Sequence, residues 1–179
     1  LLVSFAISGT GSSTQVNGPR TSGSACCSAF TCRSTVGASA AAAPAIMQAI
    51  AERITRQGGL ALIVDYGGWQ SRGDTFQAVK AHQFTDPLAE PGEADLTAHV
   101  DFAALAAACP RHAYTTQGAL LTALGIAARS DRLAQQLTGN PLARHLAATH
   151  RLTAPEEMGQ LFKALAVFAP NIAPPPGFS

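Results

Sequence analysis

The sequence predicts an α/β fold of which the chain carries only part. An amphipathic helix stops at two glycines and a short apolar strand follows at once, which is half of an α/β repeat. Helices dominate the remaining chain, and a second clear strand returns only near its end. Because a doubly wound sheet needs several such repeats and only one is clear, we expect an incomplete sheet with added helices.

Bulk composition excludes several classes of protein. The chain has 179 residues with 47% apolar and 13% charged residues, which is typical of a globular domain. A net charge of +1 gives no reason to expect nucleic acid or an anionic membrane as a partner. No apolar run approaches the roughly 18 residues that a membrane-spanning helix requires.

Residues 1–42 form a Ser/Gly/Thr-rich leader that differs from residues 43–179. No Asp or Glu occurs before Glu52, and residues 1–40 hold 9 Ser, 5 Thr and 5 Gly. Three interpretations stay open: a flexible tail, a transit peptide, and translation of a shifted or mis-joined reading frame. Its three cysteines lack the paired spacing of a zinc site.

The first element after the leader is a helix over "APAIMQAIAERITRQGG". Ile46, Ile50 and Ile54 recur at every fourth position and predict one apolar stripe, and two glycines predict the stop. The apolar run "LALIVD" that follows predicts a central parallel strand covered on both faces.

A long segment, residues 68–98, is rich in Gly, Pro and Asp. Loops of this length tend to be functional, and "FQAVKAHQF" within it favours a short strand. The next element, "DFAALAAAC", predicts a helix capped by Asp95 or Thr97, with Phe102 and Leu105 facing inward.

The C-terminal third predicts helices and two strands. "AYTTQ" indicates a short strand, and "GALLTALGIAARSDRLAQQLTG" one or two helices broken near Gly125. "PLARHLAATHRLT" and "APEEMGQ" predict a longer and a shorter helix, and "LFKALAVFA" a final strand. Cys109, after a run of alanines, is expected to be a small buried residue.

The candidate site lies where the apolar strand ends. Ligands of open α/β sheets bind outside the carboxyl ends of the strands, and Asp65 and Tyr66 come at such an end. Gly67 and Gly68 would let backbone or ligand approach closely. A strand-ending Asx turn without a ligand explains the same residues, and the sequence leaves both interpretations open.

Other chemistries find little support. Asp95, His99 and Asp101 could ligate a divalent ion, but no HExxH or second clustered His accompanies them, and helix capping explains the same residue types. No phosphate-binding GxxxxGK[ST], no GxGxxG after a strand and no GxSxG elbow occurs.

Five motifs occur in the order and near the spacing of one family. "GGLALIVDYG", "GDTFQAVKAH", "DPLAEPGEADLTAHVDF", "TQGALLTALGIAAR" and "MGQLFKALAV" resemble the MidA-like proteins, over roughly residues 43–178. These are class I S-adenosylmethionine-dependent methyltransferases. Their mitochondrial members are tied to respiratory complex I assembly and to arginine methylation of one of its subunits.

The resemblance implies that the matched residues correspond to the C-terminal half of a MidA-like methyltransferase. The family's "GPG.G" cofactor loop and its "NE" motif do not occur here, whereas strand five and everything after it do. It therefore implies the C-terminal part of a class I methyltransferase (Rossmann-like) sheet. The implied cofactor is S-adenosylmethionine, which this chain alone is not expected to bind.

The resemblance also implies a substrate-binding role for Asp65, Tyr66 and Gly67, with His99 and Asp101 reaching the same rim from the long segment. The implied partner is a protein substrate, with a complex I subunit as one choice. Association of like chains would cover the exposed strand edge of a half-sheet. We expect a cytoplasmic location, or the mitochondrial matrix if residues 1–42 act as a transit peptide. The alternative function is a non-catalytic binding or assembly module.

Overall fold

The structure, a computed structural model, describes residues 42–178, so the three interpretations of the leader lie almost wholly outside it. Its helices are α1 (Ala42–Gln57), α2 (Phe102–Ala106), α3 (Gln117–Ala123), α4 (Ile126–Ala134) and α5 (Gly139–Thr153), and Pro155–Gly159 forms one π-helical turn. Its strands are β1 (Leu60–Gly68), β2 (Gln77–Lys80), β3 (Gln83–Thr85), β4 (Asp95–Thr97), β5 (Val100–Asp101), β6 (His112–Thr116) and β7 (Phe162–Phe168).

The larger sheet has four strands in the order β5-β1-β7-β6. Both β1 and β6 pair with β7 in antiparallel fashion, so they run parallel to each other. The parallel partner expected for β1 is only the two-residue β5, whereas its long partner β7 is antiparallel. Within the described residues, the edge of β1 from Leu60 to Tyr66 that faces away from β7 carries no strand. The sheet is therefore mixed and incomplete in this part of the chain.

One face of this sheet packs against α1 and α2. Ala61 and Ile63 of β1 and Leu165 and Val167 of β7 lie in one buried cluster with Phe102, which is fully buried. Further members of that cluster are Ala43, Met47, Ala51, Ile54, Val100, Leu105, Ala106, Cys109 and Ala169. The inward positions expected for Phe102 and Leu105 and the buried Cys109 are confirmed.

The buried stripe of α1 differs from the predicted one. Ile54 is buried as expected, but Ile46 is 40% exposed, and Met47 and Ala51 take the inward positions instead. Small alanines allow a helix to approach a sheet closely, and a pattern weighted by large side chains overlooks them. The prediction of the helix was right, and the predicted face was wrong by about one residue.

The later elements follow the prediction closely. The helical stretch breaks at Gly125, which has a φ of +80° and is the N-cap of α4. The last apolar segment forms β7, as predicted. The cap of α2 was predicted wrongly, because Asp101 Oδ1 accepts the hydrogen bond from the Ala104 amide at 3.1 Å. Asp95 and Thr97 are instead paired in β4, too far from the helix start to cap it.

The long segment folds into a second sheet of three antiparallel strands in the order β3-β2-β4. The strand expected in "FQAVKAHQF" is confirmed as the hairpin β2–β3. Ala81 and His82 form its turn with φ of 50° and 63°, the two positive values that a tight primed turn requires. Ala78 is the buried residue among its strands.

The helices α4 and α5 form a hairpin held by polar contacts. The buried Ser130 hydroxyl lies 2.9 Å from His145 Nε2 and 3.1 Å from Thr149 Oγ1. Each of these polar groups has a hydrogen-bond partner within the cluster, so the cluster is a structural contact between α4 and α5. Of the helices formed by residues 42–178, none is long and apolar enough to cross a membrane.

Candidate functional site

Asp65 lies inside β1, three residues before its end, so the strand continues further than the sequence indicated. The residue is 6% exposed, and its Oδ1 accepts a hydrogen bond from the Tyr66 amide at 2.8 Å. Burial raises the pKa of this carboxyl group, and the hydrogen bond from Tyr66 lowers it in part. The position is that of a buried acid within a strand and not of an Asx turn.

Lys163 on β7 is the direct cross-strand neighbour of Asp65. Its ammonium group donates instead to the carbonyl oxygens of Gln160 and Leu161, and burial lowers its pKa. Within residues 42–178 the close contacts between acidic and basic side chains are Lys80 with Glu90 and His150 with Glu156 and Glu157, so Asp65 and Lys163 do not form an ion pair. The negative charge of Asp65 is therefore not neutralised by this neighbour.

Tyr66 begins an aromatic row across the sheet. Its ring meets the edge of Phe162, the paired residue on β7, with centroids 5.7 Å apart. On its other side it meets His99 at 5.6 Å and an angle of 83° between ring planes. Both Tyr66 and His99 are half-buried. Because successive residues of a strand point to opposite faces, this row and Asp65 lie on different faces of β1.

Gly67 is required by the contact between β1 and β5. A Cβ atom there would lie 2.3 Å from the Val100 carbonyl oxygen and 2.7 Å from its amide nitrogen. Its φ of +154° is also a value that other residues rarely adopt. The close approach serves the protein's own backbone and leaves no room for a ligand at this atom.

Of the five predicted site residues, the structure brings Tyr66 and His99 into contact and holds Gly67 beside them in the pair with Val100. Asp65 is next in the chain but faces the other side, and Asp101 is occupied in capping α2. The His99 amide donates to Thr75 Oγ1 at 3.0 Å, which fixes His99 at the base of the small sheet.

A second aromatic group, at the end of β1, was not predicted from the sequence. Trp69 packs on Tyr114 at 5.0 Å and stacks on His112 at 6.1 Å, and its carbonyl accepts from the Ala103 amide. Burial raises the pKa of Tyr114. Since these partners are more than 30 residues apart in the chain, no local pattern could have revealed the group.

Three glycines among the described residues leave no space for a nucleoside cofactor beside them. Such sites use glycines whose missing side chains admit the ligand. Here the space beside Gly67, Gly118 and Gly159 is filled by the protein's own backbone at 2.3, 2.7 and 2.1 Å. A surface depression of about 450 Å³ beside α1 contains none of the predicted site residues. Residues 42–178 also hold no group of three or more His, Cys, Asp or Glu that could bind a metal ion.

Comparisons with known proteins agree on one family. The family model described as an S-adenosyl-L-methionine-dependent methyltransferase matches residues 37–120. The mitochondrial protein arginine methyltransferase NDUFAF7 homologue of Drosophila melanogaster is 40% identical over 130 residues, 66% of this chain and 29% of that protein. Mitochondrial NDUFAF7 of Danio rerio is 38% identical over 131 residues, 71% of this chain and 31% of that protein. The chain thus spans about 30% of the length of these curated relatives.

Two solved structures from Burkholderia thailandensis share the fold. An uncharacterised protein superposes with a TM-score of 0.61 and 25% identity, over 78% of this chain and 40% of its own. A member of the same superfamily, solved with S-adenosylhomocysteine bound, gives a TM-score of 0.59 and 26% identity, over 76% of this chain and 38% of its own.

The mixed sheet and its helices define part of a Rossmann-like methyltransferase fold. The two curated relatives and the solved structure with bound S-adenosylhomocysteine point to the same class, whose cofactor is S-adenosylmethionine. The chain belongs to the MidA-like family of S-adenosylmethionine-dependent methyltransferases, as its motifs indicated.

Proposed function

We propose that this chain supplies the methyl-acceptor side of a protein arginine methyltransferase. The observation that carries the proposal is the carboxylate of Asp65, buried without a cationic partner among residues 42–178, one residue from the row of Tyr66 and His99. The relatives' names support arginine as the acceptor. A guanidinium group suits such a place, because it stacks on aromatic rings and is attracted by negative charge.

Each of the five residues has its own proposed part. Tyr66 and His99 would flank the acceptor side chain on the half-exposed face of β1. Asp65, when ionised, would favour a cationic acceptor over a neutral one through its field and not by direct contact, since it lies on the other face. Gly67 and Asp101 would act indirectly, by holding β5 against β1 and by fixing the start of α2.

The proposal assigns the cofactor to residues other than those described, because backbone fills the space beside Gly67, Gly118 and Gly159 and the family's "GPG.G" loop does not occur in this sequence. Titration of the purified chain with S-adenosylhomocysteine is therefore expected to give no heat of binding. Binding with the affinity of a complete relative would contradict this division of roles.

The acceptor role is tested in a complete enzyme. In the Drosophila relative, the residue aligned with Asp65 is replaced by Asn, which keeps the acceptor oxygen and removes the charge. We expect kcat/KM for the protein substrate to fall about 10-fold or more, as for loss of one charged interaction, with unchanged S-adenosylhomocysteine affinity. The control replaces the residue aligned with Asp74, which in this chain accepts from the Phe76 amide in an exposed turn. Equal turnover in both variants would refute the proposal.

The relatives' names support a proposed location and a proposed substrate of the whole enzyme. Their mitochondrial names favour the matrix, the alternative location, over the cytoplasm. With it we infer a respiratory complex I subunit as the methylated protein, as the family resemblance implies. Incubating matrix complex I subunits with a complete relative and labelled S-adenosylmethionine should mark one arginine, and labelling elsewhere only would contradict the inference.

A further inference from the structure

The small sheet exposes large apolar side chains that its own fold does not use. Phe84 is 77% exposed and Leu88 is 79% exposed, the highest values among the large apolar residues described. Phe84 lies on the edge strand β3 and faces out beside Val79, and Leu88 follows in the turn after it. Exposed apolar groups of this size, close together in the chain, are typical of protein contact sites.

Negative charge predominates in the segment that carries these apolar side chains. From Phe76 to Thr97 the chain carries four acids and one Lys, a net charge of 1 − 4 = −3, and all four acids are exposed. Glu90 is paired with Lys80, which leaves Asp86, Glu93 and Asp95 without a cationic partner among the described residues. In the sheet register Asp95 and Phe84 flank Val79, so acid and aromatic ring share one face.

The same sheet is tied to the candidate acceptor site. Strand β4 leads within two residues to His99, and the His99 amide donates to Thr75 Oγ1 just before β2. The small sheet is therefore joined to the row of Tyr66 and His99 both by the chain and by a hydrogen bond.

We propose that Phe84, Leu88 and the surrounding acids form a docking surface for a basic, arginine-bearing segment of the protein substrate. Aliphatic side chains of that segment cover Phe84 and Leu88, its positive charges face Glu93 and Asp95, and the acceptor arginine extends to His99. This inference rests on the function proposed above and adds how the substrate is selected. Charge complementarity gives specificity and association rate, while the apolar contacts give most of the affinity.

The test uses the whole chain and two fluorescent peptides of about 20 residues, one with Arg and Lys around two leucines and one with Glu in their place, in an anisotropy assay. We expect only the basic peptide to bind. The double variant Phe84→Ala with Leu88→Ala should raise its Kd about 10-fold, the usual effect of losing central apolar contacts. Leu146→Ala, an exposed leucine on α5, is the matched control and should bind as the wild type does.

The charge component is tested separately with Glu93→Gln and Asp95→Asn, which keep side-chain size. This double variant should raise Kd about 3-fold at low salt and lose that difference at about 1 M salt, where exposed charges are screened. Circular dichroism confirms that each variant remains folded. If the variant Phe84→Ala with Leu88→Ala unfolds, the binding of the variant Glu93→Gln with Asp95→Asn decides whether the docking surface stands.

The outcomes separate the docking surface from the acceptor site. If the surface variants weaken binding and Asp65→Asn does not, the docking surface stands and the acceptor proposal loses its support. If Asp65→Asn weakens binding and the surface variants do not, the docking surface is overturned. Equal binding of both peptides, or no binding of the basic one, also overturns it. The same holds if sedimentation shows that the apolar variant only abolishes self-association, since the surface would then contact a second copy.

Discussion

The two sheets of this molecule are stabilised in different ways. In the larger sheet five of the seven residues of β7 are buried, and both α1 and α2 pack on one face. In the smaller sheet only Ala78 of the strand residues is buried, and side chains in turns organise the rest. Asp74 and Asp86 each accept a hydrogen bond from an amide two residues later. The larger sheet is a packed support, and the smaller one is a surface held by local turns.

The largest expected difference comes from the same substitution in each sheet region. Phe102→Ala removes a fully buried ring from the main cluster and should lower the free energy of unfolding by about 3–5 kcal/mol. Phe84→Ala removes an exposed ring and should change it by no more than about 0.5 kcal/mol. Urea unfolding of both variants measures this. A similar loss in both would mean that the small sheet packs more tightly than described.

Glycine substitutions sharpen the comparison at the next level. Gly67→Ala places a Cβ 2.3 Å from the Val100 carbonyl oxygen. This overpacking should lower the free energy of unfolding by about 2–3 kcal/mol. Gly73→Ala meets no atom within 4 Å, so only its φ of +78° opposes the substitution, at about 1 kcal/mol. Thermal unfolding should rank the two variants in this order, and the reverse order would contradict the close contact of β1 with β5.

A smaller and local effect is expected at the link between the sheets. Thr75→Val removes the hydroxyl that accepts a hydrogen bond from the His99 amide. The free energy of local opening at His99 should fall by about 1 kcal/mol. Because the small sheet contributes little to the core, the loss should appear as faster hydrogen exchange at His99 and not as a lower global stability. Thr55→Val, which loses a hydroxyl bond within α1, is the control and should leave the His99 exchange rate unchanged.

The last expectation concerns pH and a change of charge alone. Asp65→Asn keeps the oxygen that accepts from Tyr66. Burial raises the pKa of the Asp65 carboxyl above 3.8, so the folded state binds its proton more tightly than the unfolded state does. Stability from this group is therefore present at low pH and lost as pH rises from about 3.8 through the raised pKa. The Asn variant should have the larger free energy of unfolding at pH 7, and its advantage over the wild type should shrink toward pH 4. If that advantage grows on acidification instead, the folded protein favours the charged form of Asp65.

Local patterns predicted most elements of the fold but not their arrangement. The glycine stop after α1, the break at Gly125 and the final apolar strand were visible because each depends on neighbouring residues. The antiparallel pairing of β1 with β7 was not, because it joins segments about 100 residues apart. The hairpin turn was also hidden, since Ala81 and His82 adopt positive φ without the usual Asn or Gly.

The structure brings some of the candidate site residues together and separates others. Tyr66 and His99 do meet, although 33 residues separate them, and the family motifs were what linked them. The alternation of side chains along β1 places Asp65 on the other face, which a search for polar residues near a strand end does not consider. Asp101 was predicted as a residue of this region, but its carboxylate accepts the hydrogen bond from the Ala104 amide and so caps α2.

Trp69 gives the molecule a built-in optical probe. It is the only tryptophan in the sequence, 41% exposed, and it lies between the end of β1 and the ring of Tyr114. Its emission wavelength therefore responds to water entering the contacts that join the end of β1 to α2 and β6. When this region opens before the core does, the emission should shift to the red while the helical signal of the far ultraviolet persists. A single sample, without labels, can thus report separately on local opening at the end of β1 and on unfolding of the core.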